Sequence, residues 1–293
     1  MKSTLRVVSM KDKRAIALLL FLVLMVGCPL LMSPLASTQG PKGPFGVTRV
    51  VDGDTIVLAD GRHIRYLGIN TPERGEPCWK NAKEYNAQMV GGKAVTLEFG
   101  QAREDKYGRT LAYVTVGGEM VNAQLLRAGW AHLFILEPIR YYDHFRRLQE
   151  EARAEGLGIW GRDGHTGPLK ITRLNADAGG DDRYNLNGEY VRICNISPTT
   201  LNLRGFSLSD HYGHRYIFAT GVLRPGYTAL LLTGAGRDNA AGTDQLSFYW
   251  GSPYPIWNNK GDQAFLRNPQ GQLVDTVVHR RRGRIQQDKG RTR

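Results

Sequence analysis

The chain has 293 residues, with 39 Lys and Arg against 27 Asp and Glu and a formal net charge of +12. At 41% hydrophobic and 23% charged it is neither a disordered chain nor a polytopic membrane protein, and its length suits about two domains, each with its own core. Three Cys exclude a disulfide scaffold, and 35 Gly point to tight turns between short strands.

The positive excess lies at the two ends, while the body is balanced. Lys11, Lys13 and Arg14 precede an apolar run over residues 15–32, so residues 1–40 read as a signal peptide or a membrane anchor. That order of charge places the remainder outside the cytoplasm, secreted or held at the membrane. Val26-Gly27-Cys28 is similar to the end of a bacterial lipobox, which would lipidate Cys28; an ordinary signal-peptide Cys fits as well. At the other end, residues 280–293 read as a basic, solvated tail that could also hold a polyanion by counterion release.

Residues 45–161 form the first domain. Val47–Val51, Thr55–Ala59 and His63–Ile69 alternate as strands, with Asp60-Gly61 as a hairpin turn. Helical spacing follows over Pro77–Val90, then strands over Lys93–Phe99 and Arg109–Val116, then helices over Val121–Ala131 and Asp143–Glu155. About five strands with three helices suit a small barrel with helices attached. Residues 162–168 are a Gly- and Pro-bearing linker. Over 169–279 helical spacing disappears. Short apolar runs recur at Leu169–Leu174, Glu189–Asn195, Leu201–Asp210, Arg215–Ala219, Tyr227–Thr233, Ala264–Arg267 and Leu273–Val278, the pattern of a β-sandwich. The fold class is therefore mainly β with attached helices.

Chemistry concentrates in the first domain. Asp52-Gly53-Asp54-Thr55 places two carboxylates on one side of an extended stretch, Arg65 follows on the third strand, and Asn70-Thr71-Pro72-Glu73 lies at that strand's exit. Asp105-Lys106-Tyr107-Gly108-Arg109 opens another strand. Cleaving a phosphodiester needs hard oxygen ligands for a divalent cation, a carboxylate to take a proton from water, cations to neutralise the transition state and rigid strand ends. Arg serves the third task better than Lys, because its fork matches two phosphate oxygens. Singly, each of these residues is more often a turn, a solvated acid or a surface ion pair.

In the second domain nothing comparable stands out. Asp210-His211-x-x-His214 reads as a hairpin loop rather than a metal cluster, and Thr233-Gly234-Ala235-Gly236 lacks the helix a phosphate loop needs. Trp250 and Trp257 would bind carbohydrate or protein if exposed, and would plug one end of the sandwich if buried.

Together and in order, Val51-Asp52-Gly53-Asp54-Thr55, Arg65-x-Leu67-Gly68-Ile69-Asn70-Thr71-Pro72-Glu73 and Asp105-Lys106-Tyr107-Gly108-Arg109-x-Leu111-Ala112-Tyr113 resemble the staphylococcal nuclease (thermonuclease) family, with Val121-Asn122 and Leu157-Gly158-Ile159-Trp160 extending the likeness over 45–161. The resemblance implies an OB-fold barrel that hydrolyses DNA and RNA with Ca²⁺, with little sequence specificity, and leaves 3′-phosphates. It implies Asp54, residue 70 and the Thr71 carbonyl as calcium ligands, Glu73 as the group that activates water, and Arg65 and Arg109 as the phosphate clamp. Lys106, Tyr107 and Phe134 would contact substrate, with Asp52 behind the ligands. Two positions depart from the family: Asn70 stands where a second acidic ligand is usual, which weakens calcium binding, and Phe134 and Leu136 replace base-packing tyrosines. The alternative is a catalytically impaired protein that binds nucleic acid or serves as a surface adhesin.

Asn187-Gly188-Glu189-Tyr190-Val191, Leu203-Arg204-Gly205-Phe206-x-Leu208-x-Asp210, Leu223-x-Pro225-Gly226 and Trp257-Asn258-Asn259-x-Gly261-Asp262 resemble the lamin-tail domain, an immunoglobulin-like sandwich. That likeness implies a binding or tethering module of unknown ligand on an enzyme expected to be a monomer.

Overall fold

The computed structural model describes residues 42–161, 167–241 and 245–280. The leader and its apolar run at 15–32, Cys28, most of the linker and the tail beyond Arg280 lie outside the described residues.

Alternating apolar residues build the barrel. β1 (Lys42–Val50), β2 (Thr55–Leu58), β3 (His63–Tyr66), β5 (Ala94–Glu104) and β6 (Thr110–Val116) hydrogen-bond in the order β3-β2-β1-β5-β6, and parallel pairing of β3 with β6 closes the five-stranded ring. Ile56, Leu58, Ile64, Tyr66, Val95, Leu97, Ala112 and Val114 fill it. Two short strands, β4 (Ile69–Asn70) and β8 (His132–Leu133), pair at the rim, and β7 (Glu119–Met120) extends β6. The helices are α1 (Trp79–Val90), α2 (Val121–Arg127) and α3 (Tyr142–Ala154). α2 stops before the Ala131 limit read from periodicity. Gly129 takes φ +71°, and the Gly129 and Trp130 N–H groups close onto the Leu126 and Leu125 carbonyls, a Schellman end. Buried Asn122 ties α2 to the barrel, accepting the Val114 N–H and donating to the Leu67 carbonyl, both at 2.9 Å.

The second module is a sandwich of two four-stranded sheets. One holds β9 (Leu169–Asn175), β10 (Tyr190–Asn195), β15 (Thr228–Leu232) and β16 (Leu246–Tyr249); the other holds β12 (Ser207–Ser209), β13 (Arg215–Ile217), β17 (Gly261–Arg267) and β18 (Leu273–Arg280). The short strands β11 (Leu201–Asn202) and β14 (Val222–Leu223) pair beside them. Two sequence expectations change here. The run Leu201–Asp210 is broken in two, because Gly205 adopts φ +83°. β16, unread in the sequence, pairs parallel with β15 and buries Leu246 and Phe248. Trp257 is buried and meets half-buried Trp250 edge-on at 6.1 Å, so this aromatic stretch plugs the sandwich.

From Gly40 onward the chain clusters into one compact unit, because the outer face of the β10–β15 pair seats on the barrel module. Ile135 bridges to Tyr227, and its N–H donates to the Gly226 carbonyl at 2.8 Å. Tyr142 Oη donates to the Pro225 carbonyl at 2.9 Å, Arg153 Nη1 to the Ile196 carbonyl at 3.1 Å, and Cys194 Sγ to the Leu133 carbonyl at 3.3 Å. Ala152, Ile159, Trp160, Cys194 and Ile196 form an apolar cluster across the junction, with Cys78 and Phe134 packed against it. A Cβ on Gly226 would lie 2.5 Å from Leu133 Cβ, so only glycine permits this approach. Neither Cys78 nor Cys194 is in a disulfide.

Buried Glu189, just before β10, accepts the Ile256 N–H at 3.1 Å, and burial pushes its carboxyl from the ordinary 4.5 up to about 6. A carboxyl that holds its proton more tightly when folded is without penalty below its unfolded pKa and costs stability once pH passes the folded one. Glu189→Gln is therefore expected to raise stability at pH 8 by roughly 1–2 kcal/mol and to leave it unchanged at pH 4, as urea unfolding at the two pH values will read.

Candidate active site

The site begins with a turn. Between β1 and β2, the Asp54 N–H donates to Asp52 Oδ1 at 3.1 Å, and the Val51 N–H to the Thr55 carbonyl at 2.9 Å. Gly53 lets this turn lie directly on Thr71, since a Cβ there would come within 2.7 Å of Thr71 Oγ1 and 2.8 Å of two further Thr71 carbons. The approach delivers Asp54 to Thr71. Asp54 Oδ2 accepts the Thr71 N–H at 2.8 Å and the Thr71 hydroxyl at 3.1 Å, and Oδ1 accepts the Thr55 hydroxyl at 3.1 Å.

Arg65 joins the two strand ends. Its side chain lies on the β3 face opposite Ile64 and Tyr66, and it is buried. Nη1 donates to the Tyr66 and Ile69 carbonyls at 2.8 and 2.9 Å, and Nη2 donates to Asn70 Oδ1 at 2.9 Å and sits 3.2 Å from Asp54 Oδ2. Asn70 Nδ2 in turn donates to the Thr71 carbonyl at 3.2 Å and faces His132 Nε2 at 3.4 Å. His132 Nδ1 lies 2.7 Å from the Leu133 carbonyl, so the proton belongs on Nδ1 and Nε2 accepts. Behind the turn, Tyr66 Oη donates to Asn86 Oδ1 at 2.9 Å, and Asn86 Nδ2 donates to the Asp52 carbonyl at 3.0 Å.

Carboxylates outnumber cations here. Burial, reinforced by the charge of Asp54, pushes the Asp52 carboxyl up to about 7 against the pull of Arg65. Glu73 is exposed as a residue, yet the protein crowded around its carboxyl, together with Asp54, raises its pKa, while Arg65 and Arg173 oppose the rise. Three acids thus share Arg65.

The structure draws Asp54, Arg65, Asn70 and Thr71 into one bonded cluster, with Asp52 and Glu73 at its edge. It does not draw in the rest. Arg109 is directed elsewhere: its Nε and Nη2 each lie 2.7 Å from Asp105 Oδ2. The β3–β6 register, with Arg65 opposite Leu111, leaves Arg109 two residues upstream of the Arg65 level. Lys106 Nζ donates to Tyr190 Oη of the sandwich at 2.7 Å, Tyr107 is 58% exposed, and the Arg192 guanidinium lies 5.8 Å from the Phe134 ring. Sequence reading had no signal for His132 or Asn86, which look like ordinary polar residues until β4 meets β8 and α1 meets the turn. Nor did it place sandwich side chains here. Their strands alternate as any half-buried strand does, and alternation does not say what the outer face meets.

A closed barrel in this strand order, with acids and a buried guanidinium at its rim, defines an OB-fold domain of nuclease type. The staphylococcal nuclease homologue model matches residues 63–162, and the Lamin Tail Domain model follows over 163–281. The thermonuclease of Staphylococcus intermedius is 36% identical over 137 residues, 43% of this chain and 82% of that protein. Two Bacillus subtilis proteins, endonuclease YncB and the SPbeta prophage-derived endonuclease YokF, are each 39% identical over 129 residues, or 40% of this chain; the match spans 61% and 44% of their respective lengths. The chain belongs to the staphylococcal nuclease family and carries a lamin-tail domain behind the nuclease domain.

Because Gly53 has no room for a methyl group, Gly53→Ala is expected to cost about 1–3 kcal/mol by overpacking and to loosen Thr71 from Asp54. Thermal unfolding reads the first, and faster exchange of the Thr71 amide hydrogen reads the second.

Proposed function

We propose that the protein is an exported, Ca²⁺-dependent phosphodiesterase that cuts DNA and RNA with little sequence specificity and leaves 3′-phosphates. The observation that carries this reading is the bonded cluster of Asp54, Arg65, Asn70 and Thr71 with Glu73 at its edge. Export rests on the basic flank and apolar run of residues 11–32.

The donors suit a hard dication. Asp54 contributes a carboxylate, Asn70 an amide oxygen and Thr71 a main-chain carbonyl, and the surplus of acid over guanidinium calls for positive charge. Among the described residues no group of three or more acidic, His or Cys side chains forms a metal cage, so a dication here would be held by Asp54, Asn70 and the Thr71 carbonyl without a full protein cage. Bound there, Ca²⁺ supplies charge at the non-bridging phosphate oxygens. The chain's own residues account for the rest. Glu73, with its raised pKa, accepts the proton of the attacking water as the water oxygen bonds phosphorus. The P–O5′ bond breaks, and the departing alkoxide is protonated from solvent. Arg65 fixes Asp54 and Asn70 while keeping a guanidinium beside the developing charge.

A second reading is favoured by one observation: Arg65 and Arg109 both already hold carboxylates of the chain. A protein in which substrate cannot displace those partners would bind nucleic acid without cutting it.

Incubating the full chain with plasmid, single-stranded DNA and RNA, with Ca²⁺ or with EDTA, separates the two. EDTA-sensitive release of acid-soluble nucleotides ending in 3′-phosphates supports the enzyme, and binding with no release supports the second reading. Glu73→Gln is expected to lower kcat about 10²–10⁴-fold while leaving DNA affinity within about threefold; equal losses in both would remove the base role. Asn70→Asp restores a full negative charge and should lower the Ca²⁺ concentration for half-maximal cleavage. An unshifted titration would take residue 70 out of the ligand shell.

A further inference from the structure

Between the nuclease and lamin-tail modules runs a cleft of about 1220 Å³, lined by Glu73, Arg74 and His132 on one side and by Lys170, Arg173 and Asn175 of β9 on the other. That exceeds the roughly 300–1,000 Å³ of a small-molecule pocket. The acids along it are largely engaged. Glu76 holds Lys170 at 3.0 Å, Asp275 accepts the Ile171 N–H at 2.6 Å, and Asp177 accepts the Gly179 N–H at 3.1 Å. Arg173, on the cleft wall, and Arg192, beside the cleft, stand directly opposite each other on β9 and β10, and neither has a carboxylate within ion-pair distance among the described residues. Arg192 Nε is buried without a hydrogen-bond partner.

Like charges in register across a strand pair destabilise it, and a buried guanidinium donor left unpaired adds to that cost. An arrangement that stability disfavours on two counts, facing the acid-lined site of another module, is best accounted for by an anion that binds between them. Aromatic faces lie beside it. The Arg192 guanidinium is 5.5 Å from the Tyr190 ring centroid and 5.8 Å from that of Phe134, while Lys106 lies 4.5 Å from Tyr190 and 5.2 Å from Tyr107. Guanidinium forks that match phosphate, set among rings that match bases, form the binding chemistry of an unpaired polynucleotide strand, whose bases are free to stack.

We infer that the lamin-tail module is the far wall of the substrate groove, with Arg173 and Arg192 holding phosphates of a single-stranded nucleic acid on its way to Glu73, while exposed Tyr107 and half-buried Phe134 offer ring surface to its bases. This rests on the nuclease reading for its direction but not for its binding. The domain is then part of the site that selects the strand, rather than a tether remote from it.

The test is the affinity of the full chain for a fluorescein-labelled 15-residue deoxythymidine strand, measured by anisotropy in EDTA across a salt series. The Arg173→Ala and Arg192→Ala pair should weaken binding at low salt at least tenfold and reduce the slope of log affinity against log salt by about 0.7 for each arginine. A 15-base-pair duplex should lose far less. Because the substitutions relieve a like-charge pair, Tm should hold or rise. An unmoved salt slope, an equal loss on the duplex, or a Tm that falls along with affinity each overturns the proposal. Should the alanine pair not fold, Arg173→Gln with Arg192→Gln carries the same comparison. The two readings fail separately. A chain that binds through these arginines yet releases no nucleotide loses the enzyme and keeps the groove; one that cleaves with an unmoved slope loses the groove alone.

Discussion

Arg65 ties three stretches of chain together: it donates hydrogen bonds to the Tyr66 and Ile69 carbonyls and the Asn70 amide oxygen, and it forms an ion pair with the Asp54 carboxylate. A buried guanidinium needs such partners, since each N–H left unmet costs stability. The requirement fixes the spacing of the site. β3 must end where the chain can fold back to present Ile69 and Asn70, and the turn before β2 must be tight enough to bring Asp54 within reach. Gly53 against Thr71 supplies that tightness, and the Tyr66–Asn86–Asp52 chain of hydrogen bonds braces the turn from behind. Closing the ring through β3 and β6 then holds the β3 backbone to which Arg65 is attached.

Much of this was legible before any coordinates. Period-two alternation marks the barrel strands because each has a filled inner face, and the Asp54–Arg65–Thr71 group is close in sequence, so local spacing carries it. What failed to show has physical reasons. α2 ends early because a left-handed Gly129 outweighs an apolar pattern that runs on to Ala131. β16 was obscured by its aromatics and by joining its sheet in parallel, with no hairpin turn to announce it. Arg109 and Lys106 keep their places in a shared motif, yet their partners, Asp105 and Tyr190, are set by the loop and by a module that lies far along the chain.

The resemblances and the fold assign the two halves separately, and their meeting is the new element. Without the sandwich, Phe134 and Lys106 would each lose a contact. Here the sandwich covers both: Arg192 lies over the one and Tyr190 accepts from the other. The charge ledger has the same shape. Most of the surplus that gives the chain its net +12 sits at its ends, outside the described residues, whereas Arg173, on the wall of the cleft that Glu73 also lines, and Arg192 are an in-register pair on β9 and β10.

The seam around Gly226 bears on how this protein can be dissected. Leu133, Ile135 and Ile159 are buried partly by residues beyond position 167, and the Ile135 N–H finds its acceptor there. Truncation after Gly161 would bare an oily, hydrogen-bond-hungry surface next to the rim that holds Arg65. A clipped barrel that clumps or shows feeble activity would then report the raw edge left by the cut, not the capability of the intact chain.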